Sequence, residues 1–315
     1  MENLNTIVTI TCSRDFEAMK RQARSIDLFI TERCTHFVVI EDFNISIDTW
    51  RLALQPFYKN HELVLLVADD FNLNLKELRE INGWLVQQLL KFYIVSKINN
   101  ECYLILDSKN FFIKPISLNC WPVVEGNGMS NAILPDHKWY DFIKYASDIF
   151  NMPIPNIFWP AHTPFVFRTS VVKELINTCQ LDDMFFKFKG GYEKVSEFSI
   201  YCFFSSAPLN VLEFYKTFWP ENVFPTIKEL SQLHTNPAIL MLGLHSGLDK
   251  QCPLEFQELT QFIEDTIFKP VIMQQAITFR GIQKLNYNML NRIAVVLKGP
   301  QRTWSITKGS IINFF

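Results

Sequence analysis

The sequence predicts an α/β fold of the Rossmann-like kind: a mostly parallel central sheet flanked by helices, with a helical C-terminal extension. Two observations carry the sheet. Apolar runs of strand length recur at Ile7 to Thr11, His36 to Ile40, His61 to Asp70 and Tyr103 to Leu106, and each ends on polar or acidic residues. Segments of helical periodicity separate several of these runs, an alternation that argues for βαβ units and parallel pairing.

Taken in order, the first run stops at CSRD, a polar loop. Phe16 to Phe29 follows as a helix with Phe16, Met19, Ala23, Ile26 and Leu28 at apolar positions. The second run closes on Glu41 and Asp42, and the third on Asp69 and Asp70. Between Asn82 and Ser96 a further helix places Trp84, Leu85, Leu89, Phe92 and Tyr93 at core spacing, with Asn82 available as a cap and Gln87, Gln88 and Lys91 on another arc. The fourth run ends at Asp107, and the chain resumes as FFIKP. In open α/β sheets the binding crevice lies beyond the carboxyl ends of the strands, where Asp107, Ser108, Lys109 and Asn110 would project.

After Pro115 the pattern loosens into a region rich in Pro and Gly around one helix, Lys138 to Phe150. Next come a short strand, His162 to Arg168, a helix from Thr169 to Thr178 capped near Ser170, and a helix opening at Ser196 with Glu197 in its first turn. Ala238 to Leu244 reads as a strand that stops at His245. Leu254 to Phe315 reads as one or two helices with a weak strand at Arg292 to Leu297. The expected division is 1–250 for the main domain, in two halves over 1–115 and 116–250, and 251–315 for the extension.

Composition excludes several classes. With 48% hydrophobic residues and 29 Phe the chain buries an ample core, and general disorder is excluded. A net charge of -2 gives no global pull toward nucleic acid. From Thr266 to Phe315, however, there is no acid and there are seven basic residues, a pattern that suits peripheral contact with anionic lipid and equally a solvated face or partner surface. Seven scattered Cys without a CxxC pair suggest neither a zinc knot nor a disulfide framework, and the N-terminus lacks signal-peptide character. A reducing, cytoplasmic setting is the expectation. The G-x-x-x-x-G-K loop, the G-x-G-x-x-G turn, the G-x-S-x-G elbow and H-E-x-x-H are all missing.

Three segments carry a resemblance in their order and spacing: GWLVQQLLK, then the strand ending in DSKN with FFIKP, then HTPFVFR followed by SEFSIY. Together they resemble the nucleotide-sugar-dependent glycosyltransferases of the GT-A fold, in particular a bacterial and viral group whose D-x-D segment takes a DSKN-type form. The resemblance covers Ile7 to Ser205 and implies that 1–250 is a GT-A-like domain, with its nucleotide-binding half over 1–115 and its acceptor half over 116–250. It implies transfer of a sugar from a nucleoside diphosphate sugar to a glycan, lipopolysaccharide or other surface-polymer acceptor, as in polysaccharide biosynthesis. A non-catalytic, degenerate member that binds a sugar nucleotide or a protein partner is the alternative.

The same resemblance implies roles for individual residues. In this fold a divalent cation, Mn or Mg, is usually held on the D-x-D carboxylates, but Lys109 stands in place of the second acid. Either Lys109 supplies the positive charge at the diphosphate, or Asp107 and His245 hold a metal between them, since HSGLDK at His245 to Lys250 resembles a segment of glycogenin-like transferases. Glu197 is the candidate general base or, equally, a residue serving its own helix dipole. Thr11, Ser13 and Asp15 lie where base and ribose bind, with a helix cap at Ser13 as the other reading. Gln87, Gln88 and Lys91 face the donor or form a solvated helix face, and His162 is a candidate for the acceptor pocket.

Overall fold

The computed structural model describes residues 4–42, 44–71, 73, 83–118, 123–125, 140–154, 163–186, 195–205, 209–211, 215–218, 241–244, 253–269 and 271. The central sheet has five strands. Four are parallel: β1 (Thr6–Thr11), β2 (Thr35–Ile40), β3 (Glu62–Val67) and β4 (Cys102–Asp107). The edge strand β7 (Phe165–Arg168) runs antiparallel to β4. Their spatial order is β3-β2-β1-β4-β7, so the chain builds outward from β1 and then returns to place β4 on the other side of it. That reversal puts a crevice at the carboxyl ends of β1 and β4, where Ile10 lies opposite Asp107.

Helix α1 (Phe16–Phe29) crosses from β1 to β2 and buries Met19, Ala23, Ile26 and Phe29 as a single stripe. Gln22 lies on that buried stripe and holds the site together. Its Nε2 donates to the carbonyls of Asp107 and Asn110 at 2.7 and 2.9 Å, and its Oε1 accepts from the Thr9 hydroxyl at 2.8 Å. Thr9 in turn meets His36 Nε2 at 3.0 Å, and His36 Nδ1 meets the Tyr58 hydroxyl at 2.6 Å. This chain of polar groups runs through the buried middle of the sheet. Gln22→Met is expected to cost about 1–3 kcal/mol in urea unfolding, because buried carbonyls lose their donor while the volume is kept.

Helix α2 (Ile47–Leu54) has no counterpart in the sequence reading. It is short, with only Trp50 and Leu54 buried, and its signal is an N-cap: Ser46 Oγ accepts from the Thr49 amide at 3.2 Å. Helix α3 (Gly83–Tyr93) packs Leu85, Val86, Leu89, Leu90 and Phe92 into the main core with Tyr103, Phe165 and Phe167, and Phe92 stacks on Phe167 with ring centroids 5.5 Å apart. Asn82, its expected cap, lies outside the described residues. The expectation that Trp84 is a core residue fails: it is 38% exposed and meets Phe142 edge to face.

Beyond β4, β5 (Asn110–Phe112) joins β10 (Met241–Leu244) and β9 (Tyr215–Phe218), while β6 (Val123–Glu125) pairs with β8 (Leu209–Val211). Helix α4 (Tyr140–Phe150) matches the expected one in this region. Helix α5 (Thr169–Thr178) starts without a side-chain cap, and Ser170 sits exposed inside its first turn rather than capping it. The hydroxyl of Thr169 instead donates to the Asn100 carbonyl. After the short α6 (Leu181–Phe186), α7 (Glu197–Phe204) is buried at every position from Glu197 to Phe203. A helix apolar on all sides belongs inside a core, and Phe198, Ile200, Tyr201 and Cys202 are members of it.

The chain divides into two compact units, Met1–Trp219 with Pro237–Ser246, and Pro220–Asn236 with Gly247–Phe315. The sheets belong to the first. In the second, α8 (Pro253–Phe262) continues into a π-helical turn, Ile263–Phe268, with Leu259, Ile263, Ile267 and Phe268 buried. The expected strand at Arg292 to Leu297 lies outside the described residues, as do the tail's basic residues other than Lys269, which pairs with Asp265 at 3.1 Å. No helix among the described residues is long and apolar enough to cross a membrane.

Candidate functional site

Four charged side chains meet at the carboxyl end of β4. Asp107 closes the strand, and its Oδ2 is 3.1 Å from Lys109 Nζ in the turn that follows. Its Oδ1 accepts from Lys91 Nζ, reaching over from α3, at 3.2 Å. Lys91 also donates to Glu197 Oε1 at 2.7 Å, and its ammonium lies 5.0 Å from the Phe198 ring centroid. Side-chain exposure falls from 31% at Asp107 through 16% at Lys109 and 7% at Lys91 to 3% at Glu197. The cluster is therefore layered, with Lys91 and Glu197 inside and Asp107 and Lys109 toward solvent.

Electrostatics follows the layering. Burial alone would raise the Asp107 carboxyl, but Lys91 and Lys109 outweigh it and hold the group well below the usual carboxylate range. Burial would also strip Lys91 of its proton, and the two carboxylates override that, so its pKa is raised. Glu197 is pushed up, chiefly by burial and further by Asp107, against the pull of Lys91. Its backbone amide, one of the donors left open at a helix start, goes to Gln88 Oε1 at 3.0 Å. Gln88 and Lys91 are thus buried, and the solvated-face reading of that arc does not hold for them.

Asp107 is further braced by its own turn. Its amide donates to Asn110 Oδ1 at 2.8 Å. The Ser108 hydroxyl donates to Asp15 Oδ2 at 2.8 Å, which ties the turn after β4 to the loop after β1. Ser13 is not a helix cap: its amide and hydroxyl both donate to Asp42, the hydroxyl at 2.6 Å, and Asn44 joins them. Thr11 is buried at the end of β1.

A cleft of about 490 Å³ opens over the ends of β1 and β2, lined by residues that include Ser13, Arg14, Glu41, Asp42, Trp84 and Gln87, and by none of the four charged side chains above. Glu41 is the residue missed by the sequence reading, although the acid ending the second apolar run was in view. Its Oε2 is buried without a protein partner. Burial raises its pKa to about 7, opposed by a hydrogen bond from Gln87 and reinforced by Asp42. A raised carboxyl pKa means that the folded state binds the proton more tightly. Its contribution is complete below the unfolded value and is lost as pH rises through about 7. Glu41→Gln is therefore expected to raise the unfolding temperature relative to wild type above neutral pH and to leave it unchanged in mild acid.

A divalent cation needs several oxygen ligands. At Asp107 both carboxylate oxygens already face ammonium groups, and no cluster of three or more His, Cys, Asp or Glu among the described residues could hold a metal ion. The described donor set does not fit such a cation. His245, Lys250 and His162 lie outside the described residues.

Among solved structures, the chain is similar to the bifunctional glycosyltransferase WbbM, at 13% identity over 77% of this chain and 45% of that one, with a TM-score of 0.48. It is similar also to an active-site mutant of LgtC, at 11% identity over 81% and 95%, TM-score 0.49. Galactosyltransferase LgtC in complex with donor and acceptor sugar analogues gives 12%, 81% and 94%, and 0.47. The chain spans less than half the length of WbbM. At these values the likeness bears on neither substrate nor chemistry. No curated protein matches. A family model matches residues 1–236 of the 315, and the chain belongs to that family, a family of unknown function (DUF6492).

Proposed function

We propose that this protein transfers a sugar from a nucleoside diphosphate sugar to a hydroxyl of a glycan, lipopolysaccharide or other surface-polymer acceptor. The observation that carries the reading is Asp107, an ionised carboxylate flanked by two lysines at the end of β4, where the strand order reverses, with a cleft over the ends of β1 and β2 in the same sheet. The order of GWLVQQLLK, DSKN and SEFSIY supports it, because those segments supply Lys91, Asp107 with Lys109, and Glu197 to one cluster. In the proposed reaction the acceptor oxygen bonds to the anomeric carbon as the bond from that carbon to the diphosphate oxygen breaks. The electron pair leaves with the diphosphate, and the hydroxyl proton passes to a base.

Glu197 is the sequence's candidate for that base, with service to its own helix dipole as the equal alternative. A hydroxyl would have to reach a carboxylate that is 3% exposed and hydrogen-bonded to Lys91, so its position better supports a role in holding Lys91. Ser13, Glu41, Gln87 and Trp84 line the space proposed for the nucleoside, and Thr11 and Asp15 belong to the strand end and turn from which Ser13 comes. The acid-free tail is the proposed contact with a lipid-linked acceptor at a membrane surface.

The test is a thermal-shift panel of uridine and guanosine diphosphates and their sugars, followed by a donor-consumption assay with and without acceptor glycans. A ligand that binds the native state at about 100 times its Kd stabilises it by about 2.7 kcal/mol. A rise with at least one nucleotide and turnover of its sugar is expected. Binding without hydrolysis or transfer would favour the non-catalytic reading, which the complete internal pairing of the four charges also suits. No rise with any nucleotide would remove both.

A further inference from the structure

We infer that the diphosphate of the donor is neutralised at this site by the Lys109 ammonium, over an Asp107 carboxylate that Lys91 fixes from below, and that no divalent cation is needed. The inference rests on the nucleotide-sugar reading above and specifies the charge chemistry of the same site.

The layering of the cluster gives the two lysines different freedom. Lys91 is enclosed by Glu197, Asp107 and the Phe198 ring, and its backbone carbonyl accepts from the Tyr103 hydroxyl at 3.1 Å. Lys109 stands on the turn joining β4 to β5 and is more exposed than Lys91, at 16% against 7%. A lysine ammonium is a compact charge on a flexible stem. It can move from Asp107 Oδ2 to a phosphate oxygen by rotation of that stem, while Lys91 stays on Oδ1 and keeps the carboxylate paired. A dication at Asp107 would instead have to displace one ammonium from its oxygen and remain beside the other, both of like charge.

The neutral groups around the cluster point the same way. Among the buried polar atoms without a protein partner are Gln88 Nε2, Asn110 Nδ2 and Thr11 Oγ1. Each belongs to a residue that neighbours the cluster: Gln88 bonds the Glu197 amide, Asn110 bonds the Asp107 amide, and Thr11 ends the strand beside β4. The two amide NH2 groups can only donate, and the hydroxyl can donate or accept. Phosphate oxygens accept bonds from all three, whereas the two amide groups offer a metal ion no ligand; Asp15 Oδ1 is an unpartnered acceptor tied to the same turn.

Isothermal titration of the full chain with uridine and guanosine diphosphates, in excess EDTA and again with manganese, tests this directly. The affinity of the better nucleotide is expected to be equal in both. Lys109→Met should weaken it about 10- to 100-fold, Lys109→Arg should restore most of the loss, and binding of the phosphate-free nucleoside should be unchanged in both variants. That last measurement also shows that each variant is folded. Manganese titrated alone should give no saturable heat. Binding that requires manganese, or that survives Lys109→Met, overturns the inference and leaves the nucleotide-sugar reading standing. Absence of nucleotide binding under every condition overturns both.

Discussion

Asp107→Asn is expected to lower sugar transfer by about 10²- to 10³-fold while shifting the unfolding temperature only slightly. The amide keeps the shape of the carboxylate and removes its charge, so Lys109 loses the anion that orients it. The fold tolerates the change because the inner pair survives: Lys91 retains Glu197 at 2.7 Å, and Asp107 is the most exposed of the four groups. Steady-state transfer with a matched thermal melt separates the two effects. Transfer at the wild-type rate would remove Asp107 from the site.

Lys91→Met should act in the opposite manner, on stability first. Taking one partner from a buried ion pair costs about 3–5 kcal/mol, because the charge left behind has neither water nor counter-ion. Here the stranded charge would be Glu197, 3% exposed, whereas Asp107 keeps Lys109 at 3.1 Å and partial contact with water. The sign with pH follows from Glu197, whose carboxyl is raised mainly by burial and loses its one opposing cation in the variant. A raised carboxyl stabilises the fold below its unfolded pKa and ceases to do so as pH climbs through the folded one. Urea unfolding should therefore show a larger loss in mild alkali than in mild acid. The double change Lys91→Met with Glu197→Gln should recover much of the single variant's deficit, since it removes the stranded charge together with its partner. A pH-independent loss that the double variant fails to relieve would mean that the pair does not stabilise the fold.

The parts of this architecture that depend on hydrophobic periodicity were legible in the sequence. The four parallel strands, the helix over Phe16 to Phe29 and the acid at the end of the fourth run all follow from apolar runs and where they stop. Periodicity says which residues avoid water; it does not say which polar residues do. Gln22, Gln88 and Lys91 are all buried, Gln22 on a helix that otherwise buries apolar residues and Ser25, and Gln88 and Lys91 together on one that otherwise buries only apolar residues. For Gln22 a signal existed: it stands three residues after Met19 and four before Ile26, on the stripe itself. For Lys91 the signal lay in its partners, and Glu197 is 106 residues away in the chain. Trp84 erred in the other direction, since its type suggested core and its place on the cleft left it exposed.

The polar chain running from Tyr58 to the turn at Asp107 has a fixed direction. Gln22 gives both amide hydrogens to carbonyls, so its oxygen must accept, and the Thr9 hydroxyl must donate to it. With its proton committed, Thr9 can only accept from His36 Nε2, which makes His36 the Nε2–H tautomer and leaves Nδ1 to accept from the Tyr58 hydroxyl. Burial, with a further contribution from His61, lowers the pKa of His36 to about 3, so it stays neutral across the ordinary range. The imidazole is thus a silent spectator in charge and a sensitive one in structure. Its ring-nitrogen resonances should report a single frozen tautomer, and any ligand that shifts the turn carbonyls held by Gln22 should be heard at His36, in the interior of the sheet, without touching it.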